Sequence, residues 1–300
     1  MTVPFTNSDS WTILSPIAQS IKAKIEAVGT PLKDWDVKIY RGILTGCNDA
    51  FIISGIKRDE ILGKCATERE RNLTAELIRP ILRGRDIKRY GYEFANLYVI
   101  FAYNGSSKVI PSNYPAIYKH LCQFKEQLRK RGQCRYTASG KPRIGGEFPG
   151  QHHWLELDNN PSIELLDDFA KQKIIWGEIS DKPKFAYDNG EYLQEATTFL
   201  MTGSKLKYLL AFLNSQLSLY FFSKIGTTTG VGTVRWKKFK LEEFSIPQST
   251  PERCDMLIPL IDSLLFNYTE EIEFRMNQAV YSVFNFSVEE IRFIESFNYD

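Results

Sequence analysis

The sequence predicts an α/β protein: a mixed, mainly β core with helices packed around it, followed by a C-terminal helical segment. Three observations support this. Several stretches repeat apolar residues at helical spacing, and the last 50 residues do so almost throughout. Between them lie short aliphatic and aromatic runs bounded by Gly, Asn and Pro, the texture of strands. The 300 residues are 43% hydrophobic and 25% charged, which suits a folded chain with a sizeable core.

Taken in order, Ser10 to Val28 predicts a helix, with Ile13, Leu14, Ile17, Ile21, Ile25 and Val28 on one face. Gly29 is expected just past its end as a left-handed stop, and Pro31 prevents continuation. Val37 to Ile53 predicts two strands around a tight turn, bracketed by Gly42 and Gly46 and supplied with turn chemistry by Asn48-Asp49. Arg58 to Leu62 and Glu68 to Ile78 read as short helices, the second closed by Pro80. Leu97 to Tyr103 is a strand that ends at Asn104-Gly105. Pro115 to Arg131 reads as one helix with Ile117, Leu121, Phe124 and Leu128 on one face. Its last turn carries Arg129, Lys130 and Arg131, which suits the negative end of the helix dipole.

Gly132 to Gln151 holds five glycines and two prolines without periodicity, and loops of that length inside a domain are often functional. Lys173 to Ile179, Lys184 to Tyr187 and Thr197 to Met201 predict strands. Ser204 to Ile225 predicts a long buried helix with Ser204 as N-cap and Gly226 past its end. Thr227 to Val234 is Gly/Thr-rich, and Trp236 to Ile246 reads as a strand or irregular segment. Three helices follow, Pro251 to Phe266, Thr269 to Phe284 and Ser287 to Phe297, the last opened by the capping box Ser287-Val-Glu-Glu290. Charge and texture change near Gln248 to Pro251, which divides the chain into residues 1–250 and a helical segment 251–300.

Several function classes are excluded. The first ten residues have neither a basic region nor an apolar one, so no signal peptide is expected. The longest apolar candidate, Leu206 to Phe222, is interrupted by Lys207, Asn214, Ser215 and Gln216, so no membrane span is expected. The five cysteines form no CxxC pair, which suits a reducing, cytoplasmic setting. No phosphate loop of Walker or Rossmann spacing and no G-x-S-x-G is present. His152-His153 are adjacent and do not share a helix face, and His120 is expected on a helix as a surface or boundary residue. Asn159-Asn160-Pro161-Ser162 lacks the second proline and the ring of a base-flipping loop, and reads as a turn before a helix at Ser162. Glu178-Ile179-Ser180 lacks the lysine of a nuclease pair. Glu68-Arg69-Glu70 and Glu242-Glu243 are expected as charged surface. The residues thus name no catalytic group and no metal ligand.

What the sequence does carry is a binding signal. The net charge of +2 conceals segregation, because the last 50 residues have ten acids against three bases. The bases cluster at Arg79 to Arg89, Lys119 to Arg143 and Arg235 to Lys240. Such clusters are the footprint of a polyanion partner, and lysine and arginine in loops can both neutralise phosphates and contact guanine.

Four strings in order carry a family resemblance: Asp36-Val-Lys-Ile-Tyr-Arg-Gly-Ile-Leu-Thr-Gly-Cys-Asn-Asp-Ala-Phe-Ile-Ile53, Leu77-Ile-Arg-Pro-Ile-Leu-Arg-Gly-Arg-Asp-Ile-Lys-Arg-Tyr90, Lys171-Gln-Lys-Ile-Ile-Trp-Gly-Glu-Ile179 and Leu209-Leu-Ala-Phe-Leu-Asn-Ser-Gln-Leu-Ser-Leu-Tyr-Phe-Phe222. With Trp11-Thr-Ile-Leu14 and Gly29-Thr-Pro-Leu-Lys-Asp-Trp35 before them, they resemble the TaqI-type C-terminal specificity domain of adenine-N6 DNA methyltransferases and type IIG restriction–modification enzymes. The resemblance spans roughly residues 10–250.

It implies a target recognition domain for double-stranded DNA that lacks the methyltransferase half, where S-adenosylmethionine would bind. No cofactor is expected on this chain, whose partners would be DNA and a methyltransferase, with or without a nuclease. Arg41, Gly42, Gly46, Arg83, Gly84, Arg85, Asp86 and Tyr90 match the family pattern. Arg41, Arg83 and Arg85 would face phosphate or brace loops, and Asp86 would pair with a neighbouring arginine. For the base-reading and phosphate-binding residues, position and chemistry point to Arg135, Lys141 and Arg143 in the long loop, then Arg235, Lys237 and Lys238. Tyr136 and Trp236 could wedge or stack against bases, with a core or rim position the one expected. Two other classes stay open on the residues alone: a metal-dependent nuclease with dispersed acids, and a protein-interaction module with basic faces.

Overall fold

The computed structural model describes residues 15–135, 151–159, 161–163, 165–225 and 234–297. Its strands in chain order are β1 (Gly29–Pro31), β2 (Val37–Arg41), β3 (Ile52–Ser54), β4 (Ile78–Leu82), β5 (Leu97–Ile100), β6 (Lys173–Gly177), β7 (Ile179–Ser180), β8 (Phe185–Asp188), β9 (Leu193–Gln194), β10 (Thr198–Gly203), β11 (Val234–Arg235) and β12 (Ser245–Pro247). The fold class is α/β. One four-stranded sheet runs β2-β10-β6-β8, wholly antiparallel, and a second runs β3-β5-β4-β9 with β4 and β9 parallel. Two ribbons, β1 with β12 and β7 with β11, complete the pairing.

The β2-β10-β6-β8 sheet organises the molecule because its central strands, β6 and β10, are buried on both faces. Ile174 and Trp176 of β6, with Phe199 and Met201 of β10, point into one core. Their neighbours Ile175 and Leu200 point into the other. Side chains alternate across a strand, so a strand buried on both sides must be apolar at successive positions. The strings Lys-Ile-Ile-Trp-Gly and Thr-Phe-Leu-Met-Thr-Gly meet that demand.

The first core is closed by the helices Pro16–Val28, Leu206–Leu213, Gln216–Ile225, Pro251–Phe266, Glu270–Val283 and Val288–Glu295. The second is closed by the other sheet and the helices Gly55–Gly63, Glu68–Leu77, Pro115–Cys122 and Lys125–Lys130. The acidic C-terminal helices are thus built into the first core through Leu257, Ile261, Met276, Val280 and Ile294. Two of their acids point inward. Glu290 pairs with Lys24 at 2.6 Å, and Glu273 pairs with Arg89 at 2.8 Å.

Several expected elements are rearranged. Val37 to Ile53 is not a hairpin: β2 pairs with β10, β3 pairs with β5, and Asn48–Phe51 is a short helix. Gly42 serves close approach here, since a Cβ on it would lie 2.1 Å from the Glu195 carbonyl oxygen. Gly29 is extended at φ −87° and starts β1 rather than turning left-handed, and Ser15 caps the helix.

The expected single helices are split. Pro115 to Arg131 breaks between Cys122 and Lys125, and Ser204 to Ile225 breaks at Asn214-Ser215. The second break has a cause. The Asn214 side chain accepts from the Phe185 N–H at 3.0 Å and donates to its carbonyl at 2.8 Å, which ties the break to β8. Lys205, left-handed at φ 58°, stands at the N-cap in place of Ser204. Trp236 to Ile246 forms a turn of helix, Lys238–Leu241, followed by β12.

A charged pair lies inside the central sheet. Lys173 on β6 and Asp188 on β8 are register partners, both fully buried, and their side chains meet at 2.5 Å. The ammonium also donates to the Phe169 carbonyl, and the Glu191 and Tyr192 amides reach the carboxylate. Removing one member strands the other charge in the interior. Lys173→Met is therefore expected to lower stability by about 3–5 kcal/mol. The apolar double variant Lys173→Met/Asp188→Leu is expected to recover most of that loss. Urea denaturation midpoints measure both.

Candidate nucleic-acid interface

A cleft of about 560 Å³ opens where the two cores meet. Its lining includes Gly84 and Arg85 from one turn, Gly177, Glu178, Ile179 and Ser180 from the end of β6 onward, and Thr197 and Arg235. The turn is set by Arg83 and Asp86. The Arg83 guanidinium grips the Asp86 carboxylate through two hydrogen bonds of 2.9 and 2.8 Å, and the Arg83 amide donates to the same group. Burial alone would raise the Asp86 pKa, but Arg83 outweighs it and holds the carboxyl below the usual range. Gly84 and Gly177 then face each other so closely that a Cβ on Gly177 would touch the Gly84 Cα at 3.4 Å.

The opposite wall is held by backbone. The Glu178 amide donates to the Thr197 carbonyl at 2.8 Å, and its carbonyl accepts from the Trp236 amide at 2.7 Å. This pairing, with the β7–β11 ribbon, brings Arg235 to the cleft. Arg235 Nη1 lies 3.2 Å from Glu178 Oε1, and Arg41 Nη2 lies 3.9 Å from Oε2 of the same carboxylate. Arg41 is further fixed by a hydrogen bond from Nε to the Ala196 carbonyl at 2.9 Å. Lys88 and Lys184 complete the rim, paired with Glu93 at 3.4 Å and Asp181 at 2.7 Å. Arg85 is exposed and makes no ion pair among the described residues. The lining therefore offers four cations, Arg85, Lys88, Lys184 and Arg235, around one carboxylate, Glu178.

The structure thus gathers three of the residues singled out in the sequence, Arg41, Arg85 and Arg235, at the cleft. Arg83 braces the turn, and Asp86 is its partner. Lys238 donates to the Ile39 carbonyl at 3.2 Å, and Lys237 starts the short helix Lys238–Leu241. Trp236 is a core residue, its ring 4.4 Å from that of Phe222. Arg135 ends the short helix Gly132–Arg135, while Tyr136, Lys141 and Arg143 lie outside the described residues. The basic clusters are also thinner than they read. Arg131 is buried and donates to the carbonyls of Thr45, Trp154 and Glu156, and Arg89 turns inward to Glu273.

Two surface expectations are corrected. His120 is buried, with Nε2 against the Ala50 carbonyl at 2.9 Å, and Glu70 is buried, accepting from the Ala66 and Ala116 amides. Sequence reasoning missed Lys184, Thr197 and the role of Glu178. Lys88 lay within a noted cluster but was not singled out.

The described residues on either side of positions 136–150 are locked together. The Gln151 amide donates to the Gln133 carbonyl at 2.6 Å. His152 Nε2 meets Asp158 at 2.8 Å, and Nδ1 lies 2.9 Å from the His153 carbonyl and 3.7 Å from Cys134 Sγ. Arg131 reaches the same Asp158 oxygen at 3.2 Å. With an acceptor at each ring nitrogen, the imidazole is held doubly protonated. Burial works against that charge, but Asp158, Cys134 and the His153 carbonyl outweigh it and push the pKa up to about 9.

The TaqI-like C-terminal specificity domain family matches this chain over residues 79–246, more than half its length. The chain belongs to that family. The matched segment contains the cleft lining from Gly84 to Arg235 and leaves Arg41 and the C-terminal helices outside it. The specificity domain is also similar to the type II methyltransferase M.MjaIV of Methanocaldococcus jannaschii, at 22% identity over 259 residues, 83% of this chain and 79% of that one.

Among solved structures, the type IIL restriction–modification enzyme MmeI in complex with DNA aligns at a TM-score of 0.62 and 10% identity, over 90% of this chain and 36% of that one. That likeness is one of fold. The type IIG restriction endonuclease BpuSI aligns at a TM-score of 0.48 and 12% identity, over 93% of this chain and 33% of that one. The specificity domain thus spans about a third of the length of those two enzymes. Among the described residues, no helix is long and apolar enough to cross a membrane, and no three His, Cys, Asp or Glu converge as a metal site.

The His152 lock sets a pH dependence. Its folded pKa of about 9 lies above the ordinary 6.5, so its contribution is complete below about pH 6.5 and is lost as pH rises toward 9. Stability is expected to fall by about 3 kcal/mol across that window. In His152→Gln the decline should disappear. Denaturation midpoints taken between pH 6 and 10 measure it.

Proposed function

We propose that this chain is the double-stranded DNA recognition module of a type II restriction–modification enzyme, and that it directs an adenine-N6 methyltransferase to its site. The observation that carries this reading is the cleft between the two cores. Backbone and cations converge there from four separated stretches of sequence, within the segment that matches the specificity-domain family. Arg85, Lys88 and Lys184 would neutralise phosphates, a grip that is sensitive to salt and blind to sequence. Arg235 and Arg41, held at fixed positions by Glu178 and the Ala196 carbonyl, have N–H donors left over for a guanine edge in the major groove. Arg135, Lys141 and Arg143 would extend the set of reading residues, with Lys237 and Lys238 beside Arg235.

S-adenosylmethionine belongs, on this reading, to a methyltransferase domain or subunit outside this chain. Residues 1–250 form the recognition unit. The helical segment 251–300 supports it by packing into the first core and, being acidic, would not be a DNA face. The setting is the cytoplasm, where the chromosome lies.

The experiment is a salt titration of the purified chain on a random 30-base-pair duplex, read by fluorescence anisotropy. Log affinity is expected to fall linearly with log salt, and a flat line removes the reading. Arg85→Gln should lower the slope by about 0.9, the share of one phosphate contact, and weaken binding to all duplexes alike.

A further inference from the structure

Glu178 is out of place in a cleft meant for phosphate, since a carboxylate there repels the ligand. Its backbone already does the structural work, through hydrogen bonds to Thr197 and Trp236. The side chain is mostly buried, 18% exposed, and lies between Arg235 and Arg41 at 3.2 and 3.9 Å. One carboxylate inside the cleft is thus shared by two of the five cleft-side cations before any DNA arrives, whereas Lys88 and Lys184 pair with the more exposed acids Glu93 and Asp181, 78% and 54% exposed.

We propose that Glu178 is a specificity-determining positioning residue, which withholds Arg41 and Arg235 from bare phosphate and reserves them for base edges. This rests on the DNA-binding reading above. The physical reason is competition. An arginine paired with a carboxylate gains little from a phosphate, because it must give up one anion to take another. It still gains from a guanine edge, whose O6 and N7 accept from N–H groups that Glu178 leaves free. The pairing therefore lowers affinity for random duplex more than affinity for the correct site, and discrimination is the difference of the two. Arg235 is held most firmly, by the shorter ion pair and by its place opposite Ile179 in the β7–β11 ribbon. Arg41 is aimed from the other side by its bond to Ala196.

The test compares the wild-type chain with Glu178→Gln, which keeps the shape and removes the charge. Two quantities are read: the salt slope on random duplex, and the enrichment of bound sequences selected from a randomised duplex pool. In Glu178→Gln, random-duplex affinity is expected to rise about tenfold and the slope to steepen by as much as about 1.8, two phosphate contacts' worth. The sequence enrichment should flatten. In an Arg41→Gln/Arg235→Gln background, adding Glu178→Gln should leave the slope where it was, because no cation paired with Glu178 remains to be released. An unchanged or shallower slope with wild-type enrichment overturns the proposal, as does an equal steepening in the Arg41→Gln/Arg235→Gln background. If the wild-type chain itself binds no duplex at any salt, the DNA-binding reading fails and this inference fails with it. Loss of the folded state in Glu178→Gln, seen by circular dichroism, also overturns it, since the carboxylate would then be structural.

Discussion

The burial of β6 and β10 on both faces, at the centre of the β2-β10-β6-β8 sheet, is the constraint on which the rest of the molecule depends. Strands with no solvent side must be apolar at successive residues and must satisfy every backbone group internally. Both conditions hold along β6 and β10. The one charged pair admitted there, Lys173 with Asp188, is satisfied by its own register and by backbone groups around it. Because the sheet belongs to both cores, neither can shift against the other without disturbing it. A cleft formed where the cores meet thereby inherits a fixed geometry.

That geometry appears where β6 leaves the interior. Up to Trp176 the strand is buried, and at Gly177 it emerges beside the Gly84 turn. Over the next residues the chain exposes Ile179, pairs with β11 and presents Glu178 to two arginines. A rigid sheet edge carrying functional side chains places them more tightly than a loop could. The Arg83–Asp86 clamp does the same for the facing turn.

Charge is distributed by the same logic. Many of the basic residues that look like surface in the sequence are spent on structure: Arg131 on four carbonyls, Arg89 on Glu273, Arg83 on Asp86. The acidic tail is partly internal for the same reason, with Glu273 and Glu290 reaching back to the first core. Charge that remains exposed is correspondingly concentrated, and the cleft rim with Arg85, Lys88 and Lys184 is one place where it gathers.

The sequence by itself determined the local features of this protein. The helix Pro251–Phe266 and the Ser287 capping box were legible because caps, prolines and apolar spacing act within a few residues. The strands around Ile174 and Leu200, the partnership of Asp86 with an arginine and the family resemblance were legible on the same terms. Only the tertiary structure decided which strands pair, that Gly42 serves close packing rather than a turn, that the 204–225 helix breaks to let Asn214 hold β8, and that Glu178 stands between Arg41 and Arg235. Those features depend on sheet register and on which buried polar group finds which partner. Both are contacts between residues tens to hundreds of positions apart, and no local pattern of apolar spacing or turn chemistry encodes them.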